Sequence, residues 1–507
     1  MARYKRYDYT QKVLVPVSLE DQLAPGTLEF AIHTLVETRM DLSVFDNKYC
    51  NDETGRLAYD PKVLLKVVLL AYSRGLISSR KIERACRENI VFMALSCGQH
   101  PDHSTIAAFV SSMKDEILSL FRDVLLVCDE MELLGGTFFA LDGCKLPSNA
   151  SKHWSGTVSE LKNKRDKIEG QVRQLLDQQL EADSKDDEHD MELGRSPEEQ
   201  KRKRQIERLN KQADRIDKWL RDNDAKIGRT GKEIKSNVTD NDSAKMMTSH
   251  GTIQGYNAQA LVDAKHQVIV HGEAFGSGHD YGHLEPMVDG AKDNLCHIGH
   301  KQDYFSGKIL ATDSNYHCAS HITKCEAEGV DAYIPDIRFR KRDSRFKTQK
   351  RHKLKTPERF QPEEFQYNAS KDEYICPRGK RLTLRSKKIV NEGVIYRQYA
   401  TEEKDCSGCP VKSKCINSRG SRRRFLTIPV GALKSNLTWK MAKKVDSQKG
   451  KKIYPQRLAI VEPVFANIRT HKRLDRFTLL GKTKVTIQWI LYCMVHNMEK
   501  IANYGFT

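Results

Sequence analysis

From Tyr59 to about Met131 the apolar positions recur at helical spacing. Val63, Leu64, Val67, Val68 and Ala71 fall at i, i+1, i+4, i+5 and i+8, one broad face of a helix. Pro61 suits the first turn of that helix. A second helix is predicted from Ser79 to Asn89, with Ser78 or Ser79 as its cap. A third is predicted from near Ser104, carrying Ile106, Phe109, Met113 and Ile117 at spacings of three and four. Gly135 and Gly136 break the helical run, and Phe138-Phe139-Ala140-Leu141 then reads as a short buried strand that ends on a carboxylate, Asp142.

Residues from about Ser159 to Arg229 are highly charged and poor in aromatics. Leu161, Ile168, Val172 and Leu175 recur at heptad-like spacing, and Ile206, Leu209, Ala213, Ile216 and Leu220 step by three and four. Two such seams on either side of the acidic stretch Asp183–Pro197 predict an antiparallel helical hairpin. Strands resume at Gly255–Asp263 and Gln267–His271, with the polar turn Ala264–His266 between them. Lys308-Ile309-Leu310-Ala311-Thr312-Asp313 repeats the earlier theme of an apolar strand ending on Asp. A helix over Cys318–Ala327 and a strand over Val330–Ile334 follow, so the pattern is α/β.

Composition adds a partner class. The chain of 507 residues has 85 Lys+Arg against 67 Asp+Glu, a net charge of +18. A basic protein of this kind meets a polyanion, and nucleic acid is the leading candidate. The 39% of hydrophobic residues suffices for packed cores and excludes wholesale disorder. No stretch approaches the roughly 20 apolar residues of a membrane span, so no membrane partner is expected. The first residues, MARYKRYDYTQK, hold no apolar signal region. Residues 338–359 concentrate basic side chains around Phe339 and Phe346, and Arg340, Lys341 and Arg342 are candidates for DNA phosphate contacts.

Thirteen cysteines, an odd number, in a chain without an export signal point to reduced thiols or a metal site rather than a disulfide framework. Cys376, Cys406, Cys409 and Cys415 form one Cys-x2-Cys pair with two looser spacings, and Cys376-Pro377-Arg378-Gly379-Lys380 resembles a zinc-knuckle turn. Four thiolates suit one closed, structural Zn2+ site, the alternative being reduced structural cysteines.

Asp142 and Asp313 both follow short apolar strands, and in an α/β sheet such ends converge. Two carboxylates brought together repel unless cations bridge them. Hard oxygen ligands suit two Mg2+ or Mn2+ ions, which can clamp both oxygens of an in-line phosphoryl displacement. The commonplace alternative is that each Asp caps a turn or helix. His317 and Lys145 are weaker candidates beside them, and Glu273 and Asp263 are runners-up as acidic ligands.

Near the C-terminus runs Tyr454-Pro455-Gln456-Arg457-Leu458-Ala459-Ile460-Val461-Glu462-Pro463-Val464-Phe465-Ala466-Asn467-Ile468-Arg469. Together with Phe-Phe-Ala-Leu-Asp142-Gly, Gly-Tyr-Asn-Ala-Gln, Ile-Leu-Ala-Thr-Asp313-Ser and the closing Val495-His496-Asn497-Met498-Glu499-Lys500, this resembles the bacterial insertion-sequence transposases of the DDE type. The resemblance spans nearly the whole chain and implies a ribonuclease-H-like mixed sheet flanked by helices. It implies that Asp142, Asp313 and Glu462 hold two divalent ions and catalyse nicking of element ends and strand transfer. It assigns Tyr454 and Arg457 to DNA phosphates and places Arg469 where many relatives have Lys. On a continuous helix Glu462 and Arg469 would share one stripe, with Val461, Phe465 and Ile468 facing the core. Pro463 is at odds with an ordinary helix interior. Either a helix starts at Pro463 with Glu462 as its cap, or the helix kinks there.

The expected division is a helical N-terminal domain with DNA-binding potential over 1–134 and a first catalytic part over 135–335, with a helical-hairpin insertion at about 157–235. A basic, Cys-rich insertion over 336–450 and C-terminal catalytic helices over 451–507 follow. The expected partners are transposon terminal inverted repeats and target DNA, bound by a homodimer or larger assembly, in the bacterial cytoplasm at the nucleoid. The rivals are a structure-specific nuclease that cuts without joining, and a non-catalytic DNA-binding descendant of a transposase.

Overall fold

The computed structural model describes residues 18–48, 57–186, 197–228, 231–249, 251–346, 348, 360, 362–391, 394–416, 420–429 and 437–505. These fall into two compact units, one of Met1–Thr312, Glu328–Asp331 and Pro455–Thr507, the other of Asp313–Ala327 and Ala332–Tyr454.

The first unit begins with six helices: α1 (Leu28–Thr38), α2 (Pro61–Ser73), α3 (Ser79–Glu88), α4 (Ile90–Leu95), α5 (His103–Ser112) and α6 (Ile117–Glu130). Asp60 caps α2 by accepting from the Lys62 amide at 2.7 Å, and Asp102 caps α5 through the Ser104 and Thr105 amides. The sequence pattern carries one helix through Met113 to Ile117, but the chain breaks there into α5 and α6. Met113 and Ile117 are both fully buried across the break, so apolar spacing alone could not reveal it.

Strand β1 (Phe138–Pro147) follows. Helices α7 (Val158–Asp186) and α8 (Pro197–Asp222) then pack on each other, and β2 (Ser155–Gly156) pairs with β3 (Ser236–Asn237) at their base. Their shared core is Leu161, Ile168, Val172, Ile206, Leu209, Ala213, Ile216 and Trp219, with Leu175 and Leu220 partly buried against it. The segment 187–196, within the acidic stretch between the two seams, lies outside the described residues.

The sheet continues with β4 (Ala244–Thr248), β5 (Gly251–Asp263), β6 (Ile269–Phe275) and, after α9 (Leu284–His297), β7 (Ile309–Thr312). Among these strands the order is β4-β5-β1-β7, with β6 also paired to β5. β1 runs antiparallel to β5 and parallel to β7, so the sheet is mixed. The run Phe138–Leu141 is buried throughout, as central strands covered on both faces require.

In the second unit, α10 (Ala319–Ala327), β8 (Asp331–Tyr333) and the single turn α11 (Phe339–Arg342) lead to a small antiparallel sheet. Its strands are β9 (Gln366–Asn368), β10 (Glu373–Ile375), β11 (Arg381–Asn391), β12 (Val394–Ala400) and β13 (Phe425–Pro429), with α12 (Glu403–Ser407) between the last two. Phe365, Tyr374, Leu382, Tyr399 and Leu426 form its own core. Helices α13 (Leu437–Asp446) and α14 (Gln448–Ile453) close the unit.

The chain then returns to the first unit with α15 (Gln456–Ala466), a π-helical turn (Asn467–His471) and α16 (Lys482–Tyr504). α16 is buried almost all round: it packs on α2, α6 and β6, and Tyr492 stacks on Tyr72 at 5.0 Å. The N-terminal helices therefore share a continuous core with the sheet rather than standing apart from it. Among the described residues no helix is long and apolar enough to cross a membrane.

Candidate active site

Asp142 lies in the middle of β1, not at its end. The strand continues to Pro147 because Gly143–Pro147 stay paired with Gly255–Gln259 of β5. What ends beside Asp142 is the parallel partner, whose last residue Thr312 is in register with Leu141. Asp313 is the next residue after Thr312; it caps the short turn Ser314–Tyr316, accepting from the Ser314 amide at 2.6 Å.

The Asp142 carboxylate accepts from the Gly143 amide at 2.8 Å and from the guanidinium of Arg457, which lies 315 residues further along the chain. Arg457 is 5% exposed and sits on the inward face of α15 with Ile460, Val461, Val464 and Phe465. A buried guanidinium on a carboxylate favours the ionised carboxylate. Glu462 lies on the same helix and its residue is exposed.

Pro463 is accommodated inside α15, so the helix neither starts there nor needs Glu462 as its cap. A proline in that position has no N–H for the carbonyl of Ala459, four residues back. Gln267 supplies the missing donor: its Nε2 donates to the Ala459 carbonyl at 3.0 Å. Gln267 occupies the turn between β5 and β6 with φ +61°, a left-handed conformation uncommon for a residue with a side chain. Its Oε1 accepts from Lys500 Nζ at 3.1 Å and its carbonyl from His496 Nε2 at 2.9 Å.

Beyond Ala466 the helix widens into the π turn, so Glu462 and Arg469 do not share a regular seven-residue stripe. The turn is held from α16. The Asn467 amide group donates to Glu499 at 2.6 Å and meets His496 Nδ1 at 3.0 Å, while Lys472 Nζ bonds Asn467 Oδ1 and Glu499. Lys472 is fully buried; burial lowers its pKa while Glu499 opposes the shift. Burial also pushes His496 down to about 3, leaving it the neutral tautomer that donates from Nε2. Asn497 bonds both the amide and the carbonyl of Ile269. The polar residues of the closing helix thus clamp the β5–β6 hairpin and the π turn together.

Burial pushes the Cys144 thiol up to about 12; the Arg469 guanidinium pulls the other way and Asp142 adds to the rise. Arg469, exposed on the π turn, is therefore an electrostatic neighbour of the β1 segment that carries Asp142.

Sequence reasoning missed Asp280. This carboxylate, 9% exposed, accepts from Asn257 Nδ2 at 2.7 Å and Gln259 Nε2 at 2.9 Å. Gly143 faces Gln259 across the strands, and a Cβ there would stand 2.0 Å from Gln259 Nε2. A side chain after Asp142 would displace the Gln259 and Asn257 side chains that bond Asp280. The available signal was Asn257 and Gln259, two polar residues at period two in a largely buried strand, which must find a buried partner.

In the second unit, Tyr454 is 9% exposed and packs edge-on against Phe339 at 5.1 Å. Arg342 bridges Asp336 and Asp446. Arg340 is exposed and lies over the rings of Phe339 and Phe346, at 5.6 and 5.4 Å; Lys341 is exposed as well. Most of the remaining basic stretch, residues 347 and 349–359, lies outside the described residues.

Cys376, Cys406, Cys409 and Cys415 line one cavity of about 30 Å³. The amides of Arg378 and Lys380 point at Cys376 Sγ, at 3.4 and 3.3 Å, and Gly379 takes φ +72° to make that turn. Burial raises the Cys415 thiol; Arg424 opposes, and Cys406, Cys376 and Cys409 add to the rise. Among the described residues, no three His, Cys, Asp or Glu side chains already form a group that could hold a metal ion, either here or at the carboxylates.

Residues 375–502 match the family model described as a transposase DDE domain, and residues 17–112 match that described as a transposase domain (DUF772). The first match takes in the four cysteines, Arg457, Glu462 and most of α16; the second takes in α1 to α5. No curated protein and no solved structure matches the chain.

Proposed function

We propose, from the premise that residues 17–112 and 375–502 carry the transposase domains they match, that this protein is a DNA transposase of an insertion sequence. It cleaves the ends of its element and joins them to target DNA by metal-dependent phosphoryl transfer. The observation that carries the reading is the Arg457–Asp142 pair, which ties the helix bearing Glu462 to the strand bearing Asp142. The register supports it: Leu141 and Thr312, the residues preceding Asp142 and Asp313, are partners. The mixed sheet, with an antiparallel hairpin on one side of β1 and a parallel strand on the other, supports a ribonuclease-H-like core.

In this reading Asp142, Asp313 and Glu462 are the catalytic carboxylates. Their hard oxygens suit divalent cations, and the Asp142 carboxylate is held in place by the Arg457 guanidinium. Two Mg2+ or Mn2+ ions, when bound, supply charge stabilisation to the attacking and leaving oxygens. Arg457 orients Asp142; Arg469, Arg340 and Lys341, all exposed, contact DNA phosphates. Within the second unit, Tyr454 packs on Phe339 beside Arg340, and Arg342 is held by Asp336 and Asp446. The four cysteines would be the ligands of one structural Zn2+, which would have to draw them together: they line one cavity, and the knuckle amides point at the Cys376 sulfur. Bringing two element ends together calls for a homodimer or larger assembly on DNA.

The test is incubation of the full chain and Mg2+ with duplexes carrying the ends of its own element and a target plasmid. A transposase yields both nicked ends and joined product. Cleavage without joining would make it a nuclease, and neither product would overturn the reading.

A further inference from the structure

Four cations on α8, namely Arg204, Arg208, Lys211 and Arg215, are spaced four, three and four residues apart. At 100° per residue they form a single stripe, on the side of α8 away from Ile206, Leu209, Ala213 and Ile216, which are buried against α7. All four are exposed, and none has a carboxylate partner among the described residues. Together with Trp154, Gln212 and a single carboxylate, Glu207, they line a groove of about 510 Å³. Trp154 gathers two cations over its ring: Lys164 of α7 at 4.6 Å and the Arg215 guanidinium at 5.7 Å.

Like charges three and four residues apart on a helix repel, so an unpaired stripe weakens the helix that carries it. An external polyanion turns that repulsion into attraction. The stripe is about 16 Å long at 1.5 Å per residue, which matches about five phosphate steps of one DNA strand at 3.4 Å each. An anionic membrane is the poorer fit, because an interfacial helix needs a free apolar face and the apolar face of α8 is buried against α7.

We propose that the α7–α8 hairpin is a second DNA-contacting arm, in which Arg204, Arg208, Lys211, Arg215 and Lys164 track one phosphate backbone and Trp154 orients the last two. This rests on the transposase reading above for the identity of the polyanion.

The test compares the full chain with the variant R204Q/R208Q/K211Q/R215Q for binding to a labelled 30-bp duplex over a range of KCl. Each lost phosphate contact makes the slope of log K against log salt shallower by about 0.9, so the variant's slope becomes shallower by about 2 to 4 and its affinity at 0.1 M salt falls at least tenfold. The variant R204K/R208K/R215K keeps the charge and retains the slope. Helical circular dichroism of the quadruple variant equals or exceeds that of the parent, which separates lost contacts from lost structure. Unchanged affinity and slope in the quadruple variant overturn the arm while leaving the transposase reading intact. A parent chain that binds no duplex overturns both. Loss of binding only to phosphatidylserine-rich vesicles, with DNA binding unchanged, overturns the proposal in favour of a lipid surface.

Discussion

Replacing Gln267 by methionine keeps the length of the side chain and the left-handed backbone but removes its amide. Two side-chain hydrogen bonds disappear, to the Ala459 carbonyl and from Lys500. At about 0.5–1.5 kcal/mol for each bond, the loss is about 1–3 kcal/mol. Replacing Pro463 by alanine restores an N–H that can donate to the Ala459 carbonyl from within α15. In that background the amide of Gln267 is redundant for Ala459, so the cost of Gln267→Met falls by about 0.5–1.5 kcal/mol. The chain has two compact units, and a global unfolding free energy is then poorly defined. Hydrogen exchange of peptides covering α15, measured for the parent, both single variants and the double, reads the local opening free energy instead. If the two substitutions add to within about 0.3–0.5 kcal/mol, Gln267 is not the substitute donor for Pro463.

Two further outcomes follow from groups already described. Burial lowers His271 to about 4 and His496 to about 3, below the value of 6.5 in the unfolded chain. The unfolded state therefore binds more protons below pH 6.5, and stability that is complete above that pH is lost as pH falls toward the folded values. At pH 5, 1.5 units below 6.5, the loss is about 2 kcal/mol for each histidine, seen as a falling thermal midpoint of the first compact unit, which holds both, between pH 6.5 and 5. A flat midpoint over that range contradicts it, and His496→Gln should remove part of the slope. Elemental analysis of the purified chain should find about one zinc per chain, lost in Cys406→Ser/Cys409→Ser; a metal-free parent protein would remove the cysteine centre without touching the carboxylates.

Much of this architecture is written in local periodicity. The apolar face of α2, the two seams of the α7–α8 pair and the buried run of β1 each repeat at the period of their own element. The details around Asp142 and Glu462 depend on partners hundreds of residues away. Asp142 is not the end of its strand because Gly255–Gln259 keep pairing beyond it. Pro463 sits inside a helix because a side chain from a distant hairpin turn replaces its missing N–H. The π turn after Ala466 is set by Lys472 and Glu499, whose charges gave no local sign of where the helix widens. The Arg457–Asp142 pair was invisible for the same reason: both residues are conspicuous in sequence, but nothing local joins them.

The most direct test of the catalytic assignment is metal-dependent cleavage of the element's own ends by Asp142→Asn, Asp313→Asn and Glu462→Gln, each checked for unchanged duplex affinity. Every one of the three should reduce cleavage by several orders of magnitude while still binding DNA. Near-parental cleavage by any of them would remove that residue from the catalytic centre.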